Sequence, residues 1–440
     1  MRKEALLIFL LVVMQFFMPF EVKAADLYQI NVGLVTNQFS AELTSEKPFN
    51  IIVKSNSKPK AKIDAKKSYV SVKNGKLNIA GKSFNEEEIE LLQSDDNRVA
   101  VNRKKYRGRL LVKLNDDKKT LTVCNILPVE EYLYGVLPKE IMPLWPEEAI
   151  KAQAVAARSF ALSAIEKNKT SSYDVKATEM GQVYGGVDEE HSLTNKYIDM
   201  TRGIVITYKG KTIEAFYHSS AGGYTENSEN IWGSFVPYLR GVVDVDQEAP
   251  KYAWEKIVTP MELEQILKAA GYNLGKLKLI KLTALKQPPV ESFDRGISGR
   301  VKQMTITGEK GSAVIEGNKL RSLLQLNSTL FDITVGLVKP NSIEVPVLDK
   351  FGNVVGKKNI PIKTADVEVP SYLHGFDDLR IFTGDKNEKI IIKGRGWGHG
   401  LGMSQWGARK MALDAPKNSK EYYKNILAHY YTGVKVQKIY

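Results

Sequence analysis

Four short stretches carry side chains whose type and spacing could do chemistry. The first, Leu137-Pro138-Lys139-Glu140-Ile141-Met142-Pro143, sets one carboxylate inside a proline-bounded segment. The prolines restrict the backbone on either side. Ile141, Met142 and Trp145 offer an apolar surround of the kind that favours a protonated carboxyl, the form a general acid needs. The same position also suits a glutamate that caps or ion-pairs a helix end. The second is Arg158, flanked by Ala-Val-Ala-Ala and Ser-Phe-Ala-Leu. Its planar fork can bind a carboxylate, either Glu140 or one on a ligand, or it can be an ordinary helix arginine with a buried stem.

The third stretch is Phe216-Tyr217-His218-Ser219-Ser220-Ala221-Gly222-Gly223-Tyr224-Thr225-Glu226, followed by Trp232-Gly233. A strand entering a Gly222-Gly223 turn beside His218 and aromatic rings suits one wall of a sugar site. Rings pack on the apolar faces of pyranoses while hydroxyls and imidazole take their polar edges. His218 beside Ser219 lacks the strand-turn-helix elbow of a hydrolase nucleophile. The fourth stretch is Gly394-Arg395-Gly396-Trp397-Gly398-His399-Gly400-Leu401-Gly402-Met403-Ser404-Gln405. Glycine at five alternate positions rules out a stable helix. Read as an extended strand, it puts Arg395, Trp397, His399 and Leu401 on one face and leaves the other bare, so that a ligand or backbone can come close. The even spacing and the absence of a following Lys-Ser/Thr exclude a phosphate loop.

The elements that must position these groups change character along the chain. Residues 25 to about 125 read as short β-branched strands, among them 30–35, 49–53, 69–72 and 110–114, punctuated by Gly, Asn, Asp and Lys. Pro128 with Glu130 and Glu131 predicts a helix to about Val136, and Pro138, Pro143 and Pro146 forbid its continuation. A second helix opens at Pro146 and runs to about Lys167, with Ile150, Ala154, Ala157, Ala161 and Ile165 on one stripe. Strands are expected near 203–208, 212–217, 279–284 and 303–306, with a helix at about 260–270. The whole is an α+β chain: a β-rich region over 25–100, a mixed α/β domain over 101–440, and an irregular insertion at 334–390.

Composition narrows the setting. Arg2 and Lys3 precede an apolar run from Leu6 to Phe20, and Val22-Lys23-Ala24 supplies the small residues of a signal-peptidase site. The run is shorter than the roughly 20 residues of a membrane span, so residues 1–24 read as a cleaved signal peptide; left uncleaved, the segment would be an anchor. The formal charge of +13 suits non-specific attraction to anionic wall polymers outside a cell, and the export signal argues against nucleic acid. Cys124 is the only cysteine, which excludes an internal disulfide and a thiolate-rich metal cluster, and its setting in Leu121–Ile126 reads as a core strand.

Taken in order, these stretches resemble the SpoIID/LytB family, the stage II sporulation protein D and amidase enhancer group. The resemblance spans about residues 100 to 440. It rests on Leu127–Val136, Lys139-Glu140-Ile141-Met142-Pro143, Trp145–Arg158, Gln182-Val183-Tyr184-Gly185-Gly186, His218–Glu226, Ser298-Gly299-Arg300-Val301, Asn327–Phe331, the glycine-alternating segment and Ile426–Gly433. It implies a glycan-binding cleft and lytic cleavage of the MurNAc–GlcNAc bond in peptidoglycan strands. Glu140 takes the family's acid/base position, although Ile141 interrupts its Glu-Met-Pro pattern, and Arg158 takes the position of the family's helix arginine. His218, Gly222, Gly223, Arg395, Trp397, His399 and Gln405 are the accompanying candidates for substrate binding. A single carboxylate suffices if the MurNAc 6-hydroxyl closes an anhydro ring, so neither cofactor nor metal is called for. Some relatives bind zinc through Cys and His, and no cysteine lies near His218 in this sequence. The amidase-enhancer branch implies a different role, a glycan-binding protein that stimulates a cell-wall amidase. For the signal peptide, Edman sequencing of the secreted protein is expected to begin at Ala25, and a retained Met1 would make the segment an anchor.

Overall fold

The computed structural model describes residues 28–440 except 54–55, 65–66, 95, 179–180, 339–341, 349–353, 362–366, 369–377 and 418. The expected signal peptide, residues 1–24, lies outside the described residues. The chain is α+β and divides into two compact units, one formed by residues up to Glu214 together with Val436–Tyr440, the other by Ala215–Lys435.

The first unit begins with two antiparallel-rich sheets. Gln29–Gln38 pairs with Leu121–Pro128, which pairs with Arg109–Leu114, and the sheet continues outward through Glu88–Leu92, Phe49–Val53 and Asn56–Ile63. The expected boundary at residue 100 therefore cuts through one sheet, because its first strand finds its partner almost a hundred residues later. A six-stranded sheet containing Ser40–Thr44 and Lys67–Lys73 accompanies it. Leu121–Asn125 are buried at five successive positions, the pattern of a strand covered on both faces. Cys124 lies in that run, its Sγ 3.6 Å from the Ser172 carbonyl, and burial pushes its thiol up to about 11.

Two helices follow, α1 (Val129–Glu140) and α2 (Glu147–Lys167), with α3 (Ser192–Met200) packed against both. Pro128 and Pro146 precede the first two, and acidic pairs occupy their first turns, where the positive end of the macrodipole favours them. The expected stop at Val136 is not observed: α1 runs through Pro138 to Glu140. A proline in the last turn forfeits one hydrogen bond, and Ile141 N–H still closes on the Leu137 carbonyl at 3.0 Å. Likewise α2 does not bury a single stripe. Every residue from Ala149 to Ser159 is buried, so this helix is enclosed.

An enclosed helix that carries an arginine must satisfy it internally. Arg158 is fully buried and binds Glu130 of α1 with two bonds, Nε to Oε1 at 2.9 Å and Nη2 to Oε2 at 2.8 Å. Its Nη2 also donates to the Ile198 carbonyl and its Nη1 to the Ile204 carbonyl, both at 3.1 Å, with Thr201 Oγ1 at 3.5 Å from each. Glu130 further accepts from Gly203 N–H and from the Tyr440 hydroxyl at 2.7 Å. Burial alone would raise the Glu130 carboxyl, but the adjoining guanidinium and these donors hold it below its ordinary value. The expectation that Arg158 pairs with Glu140 or a ligand is thus corrected: all three of its nitrogens are bound inside the unit.

The second unit has its core between two four-stranded sheets. One is ordered Ala253–Val258, Glu388–Arg395, Phe331–Val338 and Val367–Glu368; the other Gly311–Glu316, Gln303–Gly308, Leu277–Lys281 and Leu379–Ile381. Leu267, Ile280, Ile306, Leu320, Phe331 and Ile390 pack in that core. The helix Pro260–Ala269 joins them behind a reciprocal capping box of Thr259 and Glu262. The expected insertion at 334–390 is narrower than anticipated, since Phe331–Leu337 pairs directly with Gly394–Glu388 and Leu379–Ile381 joins the second sheet. Between these strands stands a hairpin of Ser342–Leu348 with Val354–Pro361.

Arg158→Ala is expected to lower the unfolding free energy by about 3–5 kcal/mol, because Glu130 is left as an unpaired buried charge. Urea titration checks this; a change below about 0.5 kcal/mol, typical of a surface arginine, would contradict it.

Candidate functional site

The sequence candidates fall in both units: Glu140 and Arg158 in the first, the other seven in the second. In the first unit Glu140 is the last residue of α1 and half-buried. A strap formed by Gln182–Gly186 lies along that helix. Gln182 Oε1 accepts from the Tyr132 hydroxyl at 3.2 Å and its Nε2 donates to the Ala157 carbonyl of α2. Gly185 N–H donates to the Gly135 carbonyl at 2.9 Å, and the Tyr184 hydroxyl reaches Asn125 Oδ1 at 2.8 Å. Gly135 is required here, because a Cβ would stand 2.6 Å from the Tyr184 ring. At the end of the strap Val183 N–H donates to Glu140 Oε1 at 3.1 Å. The expected apolar surround is partial: Ile141 is buried and Trp145 half-buried, whereas Met142 is 59% exposed.

In the second unit the glycine-alternating segment is not an extended strand. The strand ends at Arg395, and Gly396, Gly398, Gly400 and Gly402 have φ of 75°, 116°, 84° and 66°, a region that L side chains rarely adopt. The parity argument placing Trp397 and His399 on one strand face therefore fails. The glycines serve a folded ribbon wound tightly on the 216–222 segment, where a Cβ at Gly402 would meet the Phe216 carbonyl at 2.1 Å. Ser220 and Trp397 exchange both backbone hydrogen bonds, at 3.1 and 2.8 Å. Tyr217-His218 runs parallel to Met403-Ser404, and Ser404 Oγ caps the helix Gln405–Leu413.

This winding brings His218, Gly222, Gly223, Arg395, Trp397, His399 and Gln405 onto one connected set of loops. Gly222 packs against Arg395, where an added Cβ would lie 2.9 Å from the arginine Cβ. The Gly222-Gly223 turn is held by Asp246, whose Oδ2 accepts from Gly222 N–H at 2.8 Å and from Ser220 Oγ at 2.5 Å, and whose Oδ1 accepts from Gly223 N–H at 2.9 Å. Trp397 is 46% exposed with Lys251 Nζ 5.8 Å from its ring centre. Gln405 is nearly buried. Arg395, half-buried, borders a cavity of about 590 Å³ with Trp254, Leu285 and Leu330.

Of the two imidazoles His218 is buried and His399 half-buried, and both are held below their ordinary pKa. His218 is buried with Nδ1 3.1 Å from the Leu401 carbonyl, so Nδ1 carries the proton; its Nε2 has no partner among the described residues. His399 Nδ1 accepts from Leu401 N–H at 3.0 Å, and its ring lies 5.4 Å from His218 and 5.7 Å from Trp232. Burial, then the neighbouring His399 and Arg300, hold His218 well below the usual imidazole range. Burial, then Arg300 and Arg321, push His399 down to about 3. Arg300, fully buried, donates to the Ala221 and Gly398 carbonyls and so ties the two loops together.

Sequence reasoning missed Asp246, Arg300 and the Val183 donor as positioning groups. Asp-Val-Asp at 244–246 was the available signal, but a carboxylate whose partners are backbone amides leaves no trace in residue spacing. Asp244, buried against the Tyr430 hydroxyl at 2.6 Å, was missed because that partner is remote in sequence.

Residues 117–208, which include Glu140 and Arg158, match the family described as stage II sporulation protein, and residues 234–346 match a domain of unknown function. The chain is 32% identical over 332 residues to an uncharacterized protein of Brachyspira hyodysenteriae, covering 75% of this chain and 72% of that one. It is 30% identical over 345 residues to the amidase enhancer of Bacillus subtilis, covering 77% of this chain and 45% of the relative, so it spans less than half of that protein. It is 29% identical over 331 residues to stage II sporulation protein D of Bacillus subtilis, covering 71% of this chain and 75% of the relative.

Because both folded-state values are depressed, the unfolded chain takes up protons below about pH 6.5 that the folded one refuses, and stability falls with acidification. Asp244, raised to about 7 by burial and by Asp246, acts in the opposite sense, losing stability as pH rises from about 4 to 7. The difference between wild type and His399→Gln isolates the imidazole. That difference is expected to shift by about 1.4 kcal/mol per pH unit below 6.5, wild type losing more. Urea titrations at pH 7, 6 and 5, followed by tryptophan fluorescence, test it; a pH-independent difference would mean that His399 is not held neutral.

Proposed function

The chain belongs to the SpoIID/LytB family of stage II sporulation protein D and amidase enhancers, and from that premise we propose that it is an exported peptidoglycan lytic transglycosylase. The observation that carries the reading is Glu140, a half-buried carboxylate at a helix end oriented by the Val183 N–H at 3.1 Å, at the position to which the resemblance assigns the family's acid/base. Arg158, the other family position, supports it from inside through Glu130 of the same helix. The export signal and the +13 charge are in keeping with action among anionic wall polymers.

The chemistry asks one carboxyl to act twice. Glu140, protonated, gives its proton to the glycosidic oxygen as the bond from MurNAc C1 breaks, and the GlcNAc side leaves as an alcohol. The MurNAc acetamido group shields the positive charge that grows at C1, as in substrate-assisted glycosidases. The MurNAc 6-hydroxyl then bonds to C1 and returns its proton to the Glu140 carboxylate. The enzyme is restored, no water is consumed, and the product end is 1,6-anhydro-MurNAc. Val183 fixes the carboxylate in both halves of the cycle, as positioned acid/base catalysis requires.

A second reading is favoured by the 30% identity to an amidase enhancer: a glycan-binding protein that stimulates a cell-wall amidase without cutting. The exposed Trp397 is available to stack on a sugar ring under either reading.

Glu140→Gln is expected to fold and bind glycan but to lose about 10²- to 10⁴-fold in cleavage rate, since an amide cannot donate and retake a proton. Mass spectrometry of digested glycan strands reads the ends. Reducing ends would replace ring closure by hydrolysis, and full activity of Glu140→Gln would remove Glu140 from the chemistry. A wild type that cuts nothing yet stimulates an amidase would establish the second reading.

A further inference from the structure

Apart from the Glu140 carboxylate, the first unit contains a cavity of about 630 Å³, within the range of small-molecule sites. It opens beside the C-terminal end of α2, and its walls carry the amides of Asn37, Asn115 and Asn168 and the hydroxyl of Thr170. Phe160 and Tyr173 supply aromatic surface. The polar wall is prearranged. Asn115 Nδ2 donates to Asn37 Oδ1 at 3.1 Å, Thr122 Oγ1 donates to Asn115 Oδ1 at 2.9 Å, and Asn168 Nδ2 donates to the Asp174 carbonyl at 2.8 Å. Tyr173 is fixed against Gly33, where a Cβ would stand 3.0 Å from the ring.

The charges of the cavity cancel. Lys167 and Lys176 are matched by Asp174 and Glu214, and Lys167 Nζ lies 3.3 Å from Glu214. A phosphate or a carboxylate therefore finds no net attraction there, whereas a neutral ligand rich in hydroxyl and amide groups finds complementary donors and acceptors beside two rings. Gly181 is part of the same wall and stands two residues before Val183, the donor to Glu140. Two residues span at most about 7 Å, so the cavity borders the backbone that orients the carboxylate.

We propose that this cavity is an accessory subsite for a neutral N-acetylhexosamine unit of the glycan strand. The proposal rests on the glycan-cleaving reading and adds to it a second holding point for the strand. Amide–hydroxyl pairs take the sugar's acetamido and hydroxyl groups, and Tyr173 with Phe160 takes its apolar face.

The test uses the mature full chain carrying Glu140→Gln, with chitotetraose as probe. Calorimetric titration measures affinity, and hydrogen–deuterium exchange reads the amides of 168–176. Tyr173→Ala is expected to weaken binding about tenfold, the loss of one large aromatic contact. Because Tyr173 also packs on Gly33, Thr170→Arg serves as the second variant: its position is exposed at the rim, and the longer side chain occupies the cavity. The proposal predicts protection of 168–176 on adding chitotetraose, and weaker binding by Thr170→Arg with the melting temperature retained. Unchanged affinity in a folded Thr170→Arg protein, or protection elsewhere only, overturns the subsite and leaves the cleavage reading standing. Competition by inorganic phosphate would make the cavity an anion site and overturn it too. Failure of the wild type to cut glycan strands, with chitotetraose still protecting 168–176, would instead sink the catalytic reading alone.

Discussion

The first unit is organised by one buried ion pair, Glu130 with Arg158. Neither residue touches solvent, and each is costly to bury without the other. Together they recruit Gly203, Thr201, the Ile198 and Ile204 carbonyls and the Tyr440 hydroxyl from segments far apart in sequence. Such a pair gives little net stability compared with an apolar substitute, but it admits one registry between α1 and α2. That registry fixes Glu140, ten residues further along α1 and about 15 Å away by helical rise. Two glutamates of one helix thus do opposite work: one is sealed in to set the geometry, the other is left half open at its end.

The second unit solves a different problem, holding a ribbon of glycines in place without secondary structure. Backbone at positive φ forms no continuous ladder, so isolated backbone pairs such as Ser220 with Trp397 are reinforced by side chains. Asp246 binds both amides of the Gly222-Gly223 turn, and Arg300 reaches carbonyls of both loops. Each glycine is demanded twice, by its φ and by what would meet its Cβ. At Gly400 that neighbour is the Arg300 guanidinium, 2.2 Å away. A substitution there would displace the cation that joins the loops, so the ribbon tolerates few alternatives.

These facts explain what could be read from the sequence. Strands such as 49–53 and 110–114 and the helices at 147–167 and 260–269 follow from local pattern, which neighbouring residues determine. The extent of α1 was misjudged because Pro138 falls in its last turn, where the lost bond is tolerated. The Arg158 partner was out of reach, since two helices can present many carboxylates to one arginine and spacing does not choose among them. The glycine ribbon was misread as a strand because alternation of types mimics a pleat, whereas the deciding quantity, φ, is invisible in a string of letters. The resemblance located the segments; only the fold separated Glu140 from Arg158 in kind.

The second unit holds the group with the most suggestive acidity, and its geometry disqualifies it. Asp244, raised to about 7 by burial and by Asp246, has the acidity expected of a general acid near neutral pH. Yet the residue is only 2% exposed, its Oδ1 is occupied by the Tyr430 hydroxyl and Val245 N–H, and a Cβ at Gly407 would stand 1.8 Å from that oxygen. No substrate atom can approach an oxygen packed that closely. The imidazoles of His218 and His399 fail for the converse reason, since rings held neutral at pH 7 lack the acidic second proton of an imidazolium and keep only a tightly bound N–H. Glu140 is half open and oriented by a backbone donor, as Asp174, Glu264 and Asp332 also are, and of these only Glu140 and Asp174 lie in the segment that matches the stage II sporulation protein family. Reach must precede acidity in assigning a proton donor, because a displaced pKa arises as readily from structural burial as from catalytic tuning.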